Sequence, residues 1–242
     1  MRGLTAKEIL GVWETGQYQM PAERALTLLS KFCPQTPRED LERISIGKRD
    51  ELLLSFRELL FGSQFTATTT CPHCRSILDL GFSASEVRTN VPDQQPESFS
   101  VTVGEYEFNC RLPDSVDLLA VRHERDKDAI AEALFVRCVR LENGAEVSLK
   151  TLPEDVTEAV VAEIARRDPQ GDIRFDLVCP DCAHQWEAIF DIVSFAWNEL
   201  SAWAGRLLRQ IHMLAMAYGW REPDILSLSP LRRQVYLEML GE

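Results

Sequence analysis

Two short patterns hold the residues best suited to chemistry: "CPHC" at 71–74 and "CPDC" at 179–182. Each follows a β-rich run ("QFTATTT", "DIRFDLV") and precedes another candidate strand ("SILDLGF", "HQWEAIF"). A Cys-x-x-Cys on a tight turn between strands puts two sulfurs on one side of a metal, and two such turns facing each other complete a tetrahedral set. Cys71, Cys74, Cys179 and Cys182 are therefore the expected ligands of a structural Zn2+ in a zinc ribbon. The long stretch between the pairs is no obstacle. Closing a loop costs only about 0.6 kcal/mol more per doubling of its length, whereas zinc binding to such sites contributes on the order of 10–16 kcal/mol. Rubredoxin-like iron is an alternative, and so is a pair of redox motifs. A thioredoxin-like motif, however, expects one pair at a strand-to-helix junction, not two pairs between strands.

Four thiolate ligands leave no open position for water or substrate, so the expected site is structural, not catalytic. His73 and His184 adjoin the pairs and are read as supporting or solvent-facing residues. His123 is expected on a helix surface, and His212 packing or capping near the end of a long helix. Cys33, Cys110 and Cys138 sit in apolar surroundings and read as buried inert thiols. No phosphate-cradling glycine loop, nucleophile elbow or H-E-x-x-H motif occurs. No catalytic residues are expected.

The elements that position the cysteines are legible from period and punctuation. Thr5 and Glu8 make a capping box, Pro21 and Pro37 open helices, and "KRDELLLSFRELLFG" places Leu52, Leu53, Phe56, Leu59 and Leu60 on one helical face before Gly62. "SILDLGF" alternates Leu78, Leu80 and Phe82 with Asp79 opposite. "NVPDQQPESF" has loop composition, and "SVTVGEYEFNCRL" reads as a hairpin turning near Gly104. Helices follow in "DSVDLLAVRH", "KDAIAEALFVRCV" and "PEDVTEAVVAEIARRD". A long amphipathic helix over about 192–218 carries Val193, Trp197, Leu200, Ala204, Leu207, Ile211 and Leu214 on one stripe, and Ser229 with Pro230 opens a last helix. The fold class is α+β: a zinc-ribbon β core with a helical insertion, flanked by N-terminal and C-terminal helices. The boundaries are 1–62 for the N-terminal helices, 63–190 for the ribbon region with its insertion at about 114–168, and 191–242 for the C-terminal helices.

The chain of 242 residues has a net charge of −12, and its basic residues are interleaved with acids. Clustered Lys and Arg, which a binder of nucleic-acid phosphates needs, are missing, so nucleic-acid binding is disfavoured. No apolar run reaches the roughly 18 residues of a membrane span. The N-terminus lacks a signal-peptide core, which leads to the expectation of a cytoplasmic protein.

Three segments, "IGKRDELLLSFRELLFG", "FNCRLPDSVDLLAV" and "FAWNELSAWAGRLLRQIHMLAMAYGWREPDILSLSPLRRQVYLEML", together with "LTAKEILGVWETG", resemble the baseplate-protein family of T-even-type phages. Members of that family act in baseplate hub assembly. The zinc-ribbon form resembles relatives encoded with extracellular contractile injection systems, and the C-terminal segment is similar to the helical ends of phage tail-assembly chaperones. The resemblance implies a non-enzymatic assembly chaperone or minor structural component, with baseplate, hub or spike proteins as partners. Trp197, Trp203 and Trp220 are the candidate partner-binding residues, with core packing as the plainer reading of each. The competing reading is a zinc-ribbon nucleic-acid-binding regulator. One departure concerns the turns. Such knuckles commonly carry Gly after the second cysteine, and here Arg75 and Ala183 stand there.

Overall fold

The computed structural model describes residues 4–89 and 96–240, so most of the expected loop "NVPDQQPESF" lies outside the described residues. Four helices lead: α1 (Ala6–Gly16), α2 (Pro21–Phe32), α3 (Arg38–Arg43) and α4 (Ile46–Phe61). The Thr5–Glu8 capping box is formed at α1, Pro21 takes the first position of α2, and the Ser45 hydroxyl accepts the Lys48 amide at the start of α4. Gly62 ends α4 at φ +87, where its amide donates to the Glu58 carbonyl. The face that α4 buries differs from the expected one. Leu53, Leu54 and Phe56 are buried, while Leu59 faces solvent. Arg57 is buried as well, its guanidinium over the Phe65 ring at 3.8 Å and donating to both Glu199 carboxylate oxygens at 2.7 Å.

The first cysteine hairpin pairs β1 (Gln64–Thr70) with β2 (Ile77–Ser83), and α5 (Ala84–Val87) leads out of it. The inserted unit follows: β3 (Phe99–Val103), β4 (Tyr106–Cys110), α6 (Ser115–Ala120), α7 (Lys127–Cys138), β5 (Val139–Leu141) and α8 (Glu154–Arg167). β3 and β4 form the expected hairpin, with Gly104 at φ +59, and β5 adds a third antiparallel strand beside β4. The sequence "FVRCV" predicts the end of a helix where this third strand forms. The helix stops at Cys138, because Val139 and Leu141 gain more as ladder partners of Cys110 and Phe108. α6 likewise stops at Ala120, which leaves His123 exposed on a turn.

The second cysteine hairpin pairs β6 (Ile173–Val178) with β7 (Gln185–Phe190). The chain then enters α9 (Ile192–Tyr218), capped by Asp191, and closes with α10 (Glu222–Ser227) and α11 (Pro230–Glu238). All seven stripe residues of α9 are buried; His212 is exposed on its outer face.

Three apolar clusters organise the chain. The first joins α1, α2 and α4 to the start of α9 and to both cysteine hairpins, with Phe32, Leu54, Phe65 and Leu200 among its fully buried side chains. Phe65 and Phe82 stack within the first hairpin at 5.0 Å, and the hairpins meet where Phe82 contacts Phe175 at 4.8 Å and Phe65 contacts Phe190 at 5.8 Å. The second cluster belongs to the inserted unit, around Phe108, Val139 and Val160. The third lies where the far half of α9 meets α1, α10 and α11, around Leu10, Leu214 and Ile225. The fold is α+β, with eleven helices and small antiparallel sheets among the described residues.

Candidate metal centre

Both cysteine pairs occupy the tips of their hairpins, and the two tips have the same backbone. At the first, the Cys71 amide donates to the Ser76 carbonyl at 2.9 Å and the Arg75 amide to the Cys71 carbonyl at 3.0 Å. At the second, the Cys179 amide donates to the His184 carbonyl at 2.9 Å and the Ala183 amide to the Cys179 carbonyl at 2.9 Å. Closing this turn puts the residue after the second cysteine into the left-handed region. Arg75 (φ +64) and Ala183 (φ +55) are the non-glycine residues with positive φ among the described ones. A side chain in that conformation costs roughly 1–2 kcal/mol, so something at each tip must offset the strain.

The sulfurs supply a reason. Cys71 and Cys182 are 3.7 Å apart, Cys74 and Cys179 are 3.5 Å apart, and all four Sγ atoms lie within 4.8 Å of one another. A tetrahedral zinc with bonds of about 2.3 Å requires sulfur–sulfur edges of about 3.8 Å. The four residues therefore fit one tetrahedral ion. Cys71 and Cys179 are buried, Cys182 is half-buried and Cys74 is exposed, so the site lies at the rim of the ribbon.

The electrostatics also favour a cation. The hydroxyl and backbone of Ser76 hold the Cys74 thiol down to about 6, with Sγ to Oγ at 3.3 Å. Cys182 is pushed up to about 12: the backbone at His184 favours its thiolate, but partial burial and the three neighbouring thiols oppose it. Four thiolates this close can coexist only around positive charge. His73 and His184 lie beside this set, their rings stacked at 5.4 Å, with His184 also stacked on Trp186 at 6.1 Å. Among the described residues the four cysteines are the group arranged to hold a metal. The other thiols are kept neutral: burial pushes Cys110 up to about 11 and Cys138 up to about 12, and raises half-buried Cys33 as well.

The tryptophans are dispersed. Trp197 is only 6% exposed, packed against Gly16 and beneath the Arg24 guanidinium at 4.6 Å, and core packing accounts for it. Trp203 is half-buried between the first and third clusters. Trp220 is half-buried, stacked on Tyr218 at 4.7 Å and edge-on to Tyr236 at 4.9 Å.

Two buried carboxylates escaped sequence reading. Asp168, just after α8, accepts the Gly47 amide at 2.7 Å and the Ser45 hydroxyl at 2.9 Å, fastening the inserted unit to the N-terminus of α4. Asp117 accepts from Arg111 at 2.6 and 2.7 Å, from Arg137 at 2.7 Å and from the Asp114 amide at 3.0 Å. Nothing local in the sequence marks Asp168. The one available signal was "PDSVD", where Asp114 and Asp117 have the spacing of a reciprocal helix cap, and that cap is formed.

A family model described as T4 bacteriophage base plate protein matches residues 4–197, which takes in the N-terminal helices, both cysteine hairpins, the inserted unit and the start of α9. No curated protein and no solved structure matches the chain. With four-fifths of its length under that match, the chain belongs to the T4 bacteriophage base plate protein family.

Proposed function

We propose that this protein is a zinc-bearing, non-enzymatic component that helps build the baseplate hub of a contractile, phage tail-like injection system, as an assembly chaperone or minor structural subunit. The family match carries the reading. The thiol site is consistent with it: a Zn2+ held by Cys71, Cys74, Cys179 and Cys182 would have all four positions filled, and it would supply closure of the ribbon instead of chemistry. The partners are hub or spike proteins, met in the cytoplasm where the particle is assembled. Among the described residues no helix is long and apolar enough to cross a membrane. Trp203 and Trp220, whose rings are partly open, are proposed contacts for such partners.

The nucleic-acid regulator has less behind it. Arg174, on the second hairpin, is tied to Asp172 and Glu187, and Arg88, after the first, is tied to Glu58. Affinity purification of the tagged protein from its own cells, with mass spectrometry of what remains bound, tests the assembly role. Recovery of sheath, hub or spike proteins is expected. Recovery of nucleic acid or transcription machinery without any tail-like protein would overturn it.

A further inference from the structure

Three arginines are buried, and two of them have a carboxylate. Arg49 donates to Asp50 at 2.7 Å, and Arg57 grips Glu199. The third, Arg233 in the first turns of α11, is 4% exposed and meets no carboxylate among the described residues. Its Nη1 donates to the Leu228 carbonyl at 2.6 Å, while its Nε has no partner. A guanidinium taken out of water without a counter-ion is costly, and burial lowers its affinity for the proton accordingly.

Arg233 borders a groove of ≈ 520 Å³ between α1, the far half of α9 and the last two helices, a size within the range of binding clefts. Ile9, Trp203, Leu207 and Leu228 give it apolar walls. Among the described residues, the charged ones lining it are Arg206 and Arg233, and no Asp or Glu does so, in a chain with 38 acidic residues against 26 basic ones. The positive end of the α11 dipole lies beside them. The groove also lies largely beyond residue 197, outside the region shared with the family.

We propose that this groove seats a segment of a partner protein that presents large apolar side chains around a carboxylate, with the carboxylate pairing to Arg233 and Arg206. The partner's being another component of the particle rests on the assembly reading above; the chemistry of the groove does not. The test is selection of random, ribosome-displayed short peptides on the immobilised full-length protein, followed by fluorescence anisotropy with the consensus peptide. Enriched peptides should share an Asp or Glu flanked by apolar residues. Arg233→Met and Arg206→Glu should each weaken binding by about tenfold or more, as should amidation of the peptide's acid. Arg233→Met should also keep or raise the melting temperature, because it removes an uncompensated buried charge. Absence of any enriched peptide, or binding that both substitutions leave unchanged, would overturn the proposal. Because no baseplate protein enters this selection, its failure bears on the groove alone, while failure of the affinity purification bears on the assembly role.

Discussion

Each cysteine hairpin is a pair of strands with one face on the core and the other in water, where Ile77, Val178 and Ile189 are exposed. The inserted unit between them has three strands, two covering helices and its own apolar cluster. Two-stranded hairpins are marginal alone, so the ribbon depends on what ties its tips together and on the phenylalanine rings beneath. The inserted unit has an apolar cluster of its own and is joined to the rest by Leu119 of α6, which packs on the first cluster, by the bridge of Asp114 to Ser45, and by two polar anchors near its end: Asp168 on α4, and the Gln170 side chain, which accepts the Thr89 amide at 2.7 Å and donates to the Val87 carbonyl at 3.0 Å. A metal can therefore close a ribbon interrupted by a long segment, because that segment folds on its own core and returns the chain to nearly the place it left.

The sharpest way to break this comparison is to strip the zinc we propose the four cysteines hold. Chelation, or Cys71→Ser with Cys179→Ser, removes a contribution on the order of 10 kcal/mol. Hydrogen exchange should then show β1, β2, β6 and β7 losing protection while β3, β4 and α8 keep theirs. Simultaneous loss in both regions would show that they fold as one. Elemental analysis of the purified protein should find one zinc per chain.

Next in size is Asp117, the polar centre of the inserted unit. Asp117→Asn should cost about 3 kcal/mol, the low end for a broken buried pair because Arg111 and Arg137 are each about a third exposed. The hydrogen bonds from Arg111, the Asp114 amide and Arg137 outweigh burial and hold the Asp117 carboxyl well below the usual carboxylate range. A carboxyl depressed on folding contributes stability that is complete above its unfolded pKa, about 3.9, and is lost as pH falls below that towards the folded value. Acid titration followed by circular dichroism should show this loss in the native chain and less of it in Asp117→Asn.

The anchor between the regions is tested by Gly47→Ala. The added Cβ would fall 2.1 Å from Asp168 Oδ1, so the carboxylate must leave the Gly47 amide. A loss of about 1–3 kcal/mol is expected, read as a lower denaturation midpoint with zinc content unchanged. The smallest effect belongs to the knuckles themselves. Arg75→Gly or Ala183→Gly relieves a left-handed side chain and should raise stability by at most about 1 kcal/mol. A decrease would mean that these side chains have contacts that matter more than their backbone strain.

Much of this was legible in the chain because it is locally encoded. The strand in "QFTATTT" follows from its β-branched composition, the buried stripe of α9 from period, and the ends of α1, α4 and α11 from caps at fixed offsets. The cysteine cluster was legible for the same reason: two cysteines three positions apart on a hairpin tip offer half a tetrahedral set before anything folds. β5 was missed because three residues carry too little period to separate a strand from the last turn of a helix.

The sequence by itself thus determined the two cysteine hairpins, the long helix and most helix ends. Only the tertiary structure decided which charged groups find partners: Asp168 accepts the Gly47 amide, Arg57 meets Glu199, and Arg233 meets no acid among the described residues. Caps and ligand spacings act over a few residues and leave a pattern. The buried pair of Arg57 and Glu199 joins positions more than a hundred residues apart. With 38 acidic and 26 basic residues to choose from, no local rule selects its members.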